Sequence, residues 1–293
     1  MDRIGNPLPN MSNNTSFPET ADIETSSDGY ASRFAGPTGE WFLQVQERIT
    51  LAMLRDYETL GPEERGAETC AAPGDNRQSS FNPHHATSTS HLQSPKVPLS
   101  VLDVGGGHGQ LAKPLCEKGF RVTVIGSHES CRKRVAGLIE SGRCEFATGN
   151  LVALPFPDRS FDAVLCFRFL PHCTQWQKLI GELCRVAKNS VIADYPSTRS
   201  FNAIAPALFD AKRKVEKNTR QWTTFKHVDI VKAFAGSGFV LHSRKSQFFV
   251  PMAVHRMLKC RGLSAGVETL CRLTGLTALF GSPTIIEMRR KTL

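Results

Sequence analysis

The stretch VLDVGGGHGQLAKPLCEKGFRVTVIG, residues 101–126, constrains this chain more than any other. An apolar strand runs into a cluster of glycines, then a helix-like stretch, then a second apolar strand. That succession predicts a crossover unit, two parallel strands joined through a helix. Glycine permits positive φ and carries no Cβ, so the turn after the first strand can bend sharply and bring backbone against a bound ligand.

From residue 99 onward, short apolar runs alternate with helical stretches, the pattern of a parallel sheet covered by helices on both faces. The expected strands are 100–104, 121–125, 143–147, 161–167 and 190–194, with two further runs at 240–250 and 283–290. Helices are expected at 110–118, 129–141, 176–187 and 228–236. Upstream, in GEWFLQVQERITLAMLRDY, the residues Trp41, Phe42, Val45, Ile49, Leu51, Ala52 and Leu54 recur close to helical spacing. The resulting division is a disordered tail over 1–28, a helical lid segment over 29–60 and a disordered insertion over 61–98. The main domain follows over 99–293, with lid insertions at 200–222 and 251–281.

Charge narrows the partners. The 36 Lys and Arg residues exceed the 27 Asp and Glu, a net +9, with basic residues dense over 199–226 and 255–291. Such a balance favours anionic small molecules or lipid headgroups, although a basic helix face in solvent accounts for it without any partner. No compact basic motif interleaved with stacking aromatics is present, which argues against nucleic acid. Nine cysteines show neither a C-x-x-C pair nor a zinc-type spacing, so no metal site is expected and the thiols read as reduced and buried. With no long apolar run and no signal-like start, the expected setting is cytoplasmic. No obligate protein partner is inferred.

The loop's ligand follows from its third position. A dinucleotide fingerprint, G-x-G-x-x-G/A, would need Gly or Ala at 110, and Gln110 breaks it. A turn of purely structural use is the alternative. The arrangement h-h-D-h-G-x-G-x-G, carried by Asp103, Gly105, Gly107 and Gly109, resembles motif I of the class I S-adenosylmethionine-dependent methyltransferases, and the resemblance runs from 99 to about 238. It implies a Rossmann-like seven-stranded, mostly parallel sheet with helices on both faces and an antiparallel last strand. It also implies S-adenosylmethionine as cofactor, with the loop beneath its methionine part and Asp103 ordering the loop. Similarity to the quinone-biosynthesis branch implies a small acceptor.

Within TGNLVALPFPDRSFDAVLCFRFLPHC, the same resemblance gives Asn150 the bond to the adenine amino group and Leu151 a backbone amide facing the ring. Phe167 follows at a strand's carboxyl end, where ligands bind in open α/β sheets. Arg168 is either a rim residue in water or a group aimed at an anionic substrate. His172 and Tyr195 are candidate bases for an acceptor that must lose a proton, with packing as the plainer role for the histidine. Upstream, DGYASRFAGPTG is similar to a segment that folds over the cofactor in such enzymes. Tyr30 and Phe34 would face the sulfonium there, and Arg33 would pair with the cofactor carboxylate; simple hydrophobic docking explains the segment equally.

One position departs. The second strand should end in an acid that binds the ribose hydroxyls, yet Gly126 stands there, a loss of roughly 1–3 kcal/mol unless another group, such as Ser127 or Glu129, substitutes. Apolar stripes flanked by Lys and Arg in both lid insertions point to a hydrophobic or lipid-like acceptor with an acidic group, met near a membrane surface. A nicotinamide-dependent oxidoreductase and a non-catalytic binding protein are the competing functions.

Overall fold

The computed structural model describes residues 17–58, 98–200 and 223–291. The expected insertion at 61–98 lies outside these apart from its last residue, and the lid insertion at 200–222 apart from its first. A seven-stranded sheet forms the centre, in the order β3-β2-β1-β4-β5-β7-β6. Its strands are β1 (Ser100–Val104), β2 (Arg121–Gly126), β3 (Cys144–Thr148), β4 (Phe161–Cys166), β5 (Ala187–Tyr195), β6 (Phe239–Ser246) and β7 (Thr284–Arg290). Strands β1 to β5 pair in parallel, and β7 runs antiparallel to both β5 and β6.

Alternation along the strands builds a core on each face. In β1, Val101 joins a cluster with Leu111, Leu115 and Leu165, while Leu102 and Val104 join the opposite one with Leu179, Leu183 and Phe234. Both faces are covered, which is why these strands read as near-continuous apolar runs. The helices that cover them are α3 (Gly36–Glu58), α4 (Ala112–Glu117), α5 (Ala136–Glu140), α6 (Trp176–Val186) and α7 (His227–Gly236). Pro37 lies in the first turn of α3, where its missing N–H costs nothing. Three helices then cap one end of the molecule: α8 (Met252–Leu258), α9 (Arg261–Leu273) and α10 (Leu276–Phe280).

Several expectations need correction. The predicted strand at 240–250 ends at Ser246, and the one at 190–194 starts three residues earlier, at Ala187, which pairs with Phe161 of β4. The predicted helix 129–141 opens as a 3₁₀ turn, Glu129–Arg134, before α5. Most consequentially, part of the expected disordered tail is ordered. Helix α1 (Ala21–Thr25) docks at the carboxyl end of β2 with Asp22 fully buried, and helix α2 (Asp28–Ala31) is tied through Asp28 to the 3₁₀ turn that follows β2. Hydrogen bonds rather than apolar contacts hold them, so hydropathy gave no sign of them.

Candidate functional site

The loop after β1 is fixed from below and from the side. Asp103 is buried, and a Cβ added at Gly106 would strike its carboxylate. Burial lifts the Asp103 carboxyl to about 7. Gly105 and Gly109 both sit at φ +71°, where side chains other than glycine are strained. The Gly105 N–H donates to the Ile125 carbonyl at 2.9 Å, tying the loop to β2.

Within the loop stands His108, whose ring meets Tyr30 at 5.8 Å and Phe34 at 5.5 Å, both edge-on. Burial, with Arg168 and Arg134 adding like charge, lowers the His108 imidazole to about 4, so the ring is neutral at physiological pH. Arg168 follows β4 at φ +59°. Its N–H donates to Asp194 at 2.6 Å, its guanidinium donates to Gln46 Oε1 of α3 at 2.8 Å, and it stacks 4.1 Å from the Phe34 ring centre. Burial raises Asp194 to about 6, an effect that the Arg168 N–H and charge oppose.

Of the three catalytic candidates, Arg168 lines the cavity beside the loop, together with Thr25, Asp103, Gln110 and Phe167. His172 closes a 3₁₀ turn, Leu170–His172, beyond β4 and is not part of that lining. Tyr195 is buried in the core, where its hydroxyl bonds His227 Nδ1 at 2.5 Å. Burial pushes its phenol up to about 12, which makes it a poor base at neutral pH. Sequence reasoning missed His227, since nothing local links it to a residue 32 positions away.

The expected adenine and ribose groups have partners of their own. Asn150 Oδ1 accepts from the Val152 N–H at 3.1 Å, and Leu151 is fully buried. The Ser127 N–H and hydroxyl both donate to Asp22, at 2.6 and 2.5 Å. Arg33 is exposed, with its guanidinium 5.1 Å from the centre of the Tyr30 ring and away from the cavity lining.

Asp22 is the residue that sequence reasoning overlooked. A Cβ built on Gly126 would lie 3.3 Å from Asp22 Oδ2 and 2.7 Å from Cys131 Cβ, so a side chain at 126 has no room. The signal was the missing acid itself: a glycine at that place leaves space for a carboxylate from elsewhere in the chain.

The residues around the loop suit a nucleoside cofactor in kind. Gln110 Oε1 is buried without a hydrogen-bond partner and borders the cavity, and Asp103 and the glycine turn lie beside it. The space does not suit it. The cavity measures about 20 Å³, room for about one water, where small-molecule sites usually span roughly 300–1,000 Å³. A Cβ added at Gly107 would run into Ser26 Oγ, so α1 fills the place that glycine leaves open. With α1 seated, the cofactor does not fit.

Residues 102–193 match the family model described as a methyltransferase domain. Over 155 residues the chain is 28% identical to 24-methylenesterol C-methyltransferase 2 of Oryza sativa subsp. japonica, covering 50% of this chain and 42% of that protein. Over 143 residues it is 27% identical to a ubiquinone biosynthesis O-methyltransferase of Rickettsia akari, covering 47% and 57%. It is also similar to the magnesium protoporphyrin IX methyltransferase of Synechocystis, with TM-score 0.46, 19% identity and 66% and 75% coverage. The chain thus spans about half the length of the curated relatives it matches. The methyltransferase-domain match thus spans the chain from β1 into β5, the strands that carry the glycine loop and Arg168.

Proposed function

We propose that the protein transfers a methyl group from S-adenosylmethionine to a small, hydrophobic or lipid-like acceptor. One observation carries this reading: a glycine loop over a buried Asp103 ends β1 inside the matched segment, with Gln110 in place of the small residue that a dinucleotide would need. Transfer from a sulfonium is an in-line displacement, so the chain's own task is to align the acceptor and exclude water. Arg168, half-buried and held by Gln46 and Asp194, is suited to anchor an acidic group on the acceptor. His172 remains a candidate base, and Tyr195, bound to His227, serves better as a positioning residue.

The lipid-like character rests on the cap. Met257, Leu263, Leu270, Leu273 and Leu279 are exposed on α8 to α10, beside Arg256, Lys259 and Arg261. Apolar side chains bordered by cations suit contact with an anionic membrane surface, although no described helix is long and apolar enough to cross one.

Calorimetric titration with S-adenosylhomocysteine and with NAD separates the readings. Heat from the first and none from the second is expected; tight NAD binding alone would overturn the proposal. Labelled methyl donor supplied to cell extract should then place label in the lipid phase, whereas label confined to protein or RNA would reject the small acceptor.

A further inference from the structure

A cleft with the chemistry of a ligand site is filled here by the chain's own residues. The filling segment enters at Glu19, which accepts from the Thr174 hydroxyl and from the Gln175 N–H at 2.9 Å. It crosses the carboxyl end of β2, where Asp22 takes both Ser127 donors and the Cys131 thiol at 3.3 Å. It then passes over the loop, with Ser26 against Gly107 and Tyr30 and Phe34 against His108. Arg134 fastens the turn between α1 and α2, donating to the Ser26 carbonyl at 3.0 Å and the Ser27 carbonyl at 3.2 Å.

We propose that residues 19–34 are an internal stopper that competes with the cofactor for the face of the glycine loop, so that binding requires the segment to swing away. The inference rests on the reading of that loop as the S-adenosylmethionine site. Three features support it. The segment's anchors are mostly polar, and its buried apolar side chains are few, chiefly Ala21 and Phe34. Its release therefore exposes little apolar surface, and water can replace the bonds it gives up. Secondly, a hinge stands ready: Gly36, at φ +76° with nothing within 4 Å of its Cβ position, joins the segment to α3. Thirdly, α3 has an independent hold through Trp41, Phe42, Met53 and Leu54, so the segment can leave without it.

A stopper lowers apparent affinity by the fraction of molecules that are open. Asp22→Ala removes its strongest anchor, two hydrogen bonds to a carboxylate. S-adenosylhomocysteine should then bind about tenfold more tightly, or better, than to the unaltered chain, read by calorimetry. Hydrogen exchange on the unaltered full-length chain supplies a readout that needs no substitution. Saturating S-adenosylhomocysteine should raise exchange across 19–34 while lowering it across 105–109. Unchanged or weaker binding by Asp22→Ala, with 19–34 gaining protection on ligation, would overturn the stopper and make Asp22 part of the cofactor's own cradle. The proposed function would survive that result. Silence of both proteins toward S-adenosylhomocysteine would instead overturn the reading of the loop, and the stopper with it. Should Asp22→Ala fail to fold, the exchange result decides alone.

Discussion

Two pieces of chain cover the sheet's functional end, and they are fastened in opposite ways. The cap of α8 to α10 is locked from inside. Glu268 of α9, fully buried, accepts from the Phe249 N–H at 3.0 Å, the Val250 N–H at 2.8 Å and His255 Nε2 at 3.0 Å. Around His255 close Trp41, Phe42 and Phe248, with ring centres 5.5 to 6.1 Å from the imidazole. The N-terminal segment joins that aromatic cluster only at its far end, through Phe34 with Tyr30 beside it, and several of its other anchors reach solvent, among them Asp28 with Lys133 at 2.8 Å and Arg134 at 2.7 Å. A cover fastened by buried networks and rings stays in place on the timescale of binding, whereas one fastened by replaceable polar contacts can open locally.

The strongest test of that contrast is Glu268→Ala. It leaves two backbone donors and an imidazole buried without their acceptor, and should cost about 3–5 kcal/mol in urea unfolding. A loss under about 1 kcal/mol would make the two covers alike. Next in size is the pH response of the N-terminal segment. The folded value of His108, about 4, lies below its unfolded 6.5, so the neutral ring contributes stability at and above pH 6.5. That contribution is lost as pH falls toward 4 and amounts to no more than about 3 kcal/mol. Hydrogen-exchange protection of 19–34, corrected for intrinsic rates, should fall over this window, and His108→Gln should flatten the response. An equally steep fall in His108→Gln would place the sensitivity elsewhere. Smallest is Asp28→Asn. Its ion pairs with Lys133 and Arg134 are exposed on the Asp28 side, so the unfolding midpoint should not move measurably, in low salt or high. A clear shift would mean that the segment is held more firmly than its exposed contacts indicate.

The sheet was legible because burial on both faces writes itself as apolar runs, as in β1 and β4, and the glycine loop because a strand-to-helix turn against a ligand needs glycine. The absence of an acid at Gly126 was equally plain. Its cause was not, since Asp22 arrives from 104 positions upstream and is buried through Ser127 rather than through any apolar periodicity. The same holds for α1 as a whole, where Asp22, Thr25 and Ser26 are buried polar residues in a stretch that reads as solvated tail. In α9 the pattern is inverted: Ser264 and Glu268 face inward while Leu270 and Leu273 face water, so an amphipathic reading finds the helix but mistakes which side is covered. Tyr195 was visible at the end of β5, but its bond to His227 depends on how the chain returns, which no local signal reports.

Cys131 gives the N-terminal segment a chemical signature. Its thiol lies under α1, pushed up to about 12 by burial first and by the Asp22 charge beside it. A thiol so held is almost entirely protonated at neutral pH and is inert toward electrophiles. When Asp22 withdraws, its charge goes with it and the cover that α1 provides is lifted, so both changes lower the thiol toward its ordinary range. The chain thus couples the shape of its cleft to the nucleophilicity of one sulfur atom, so that an oxidant or alkylating agent would distinguish open molecules from closed ones.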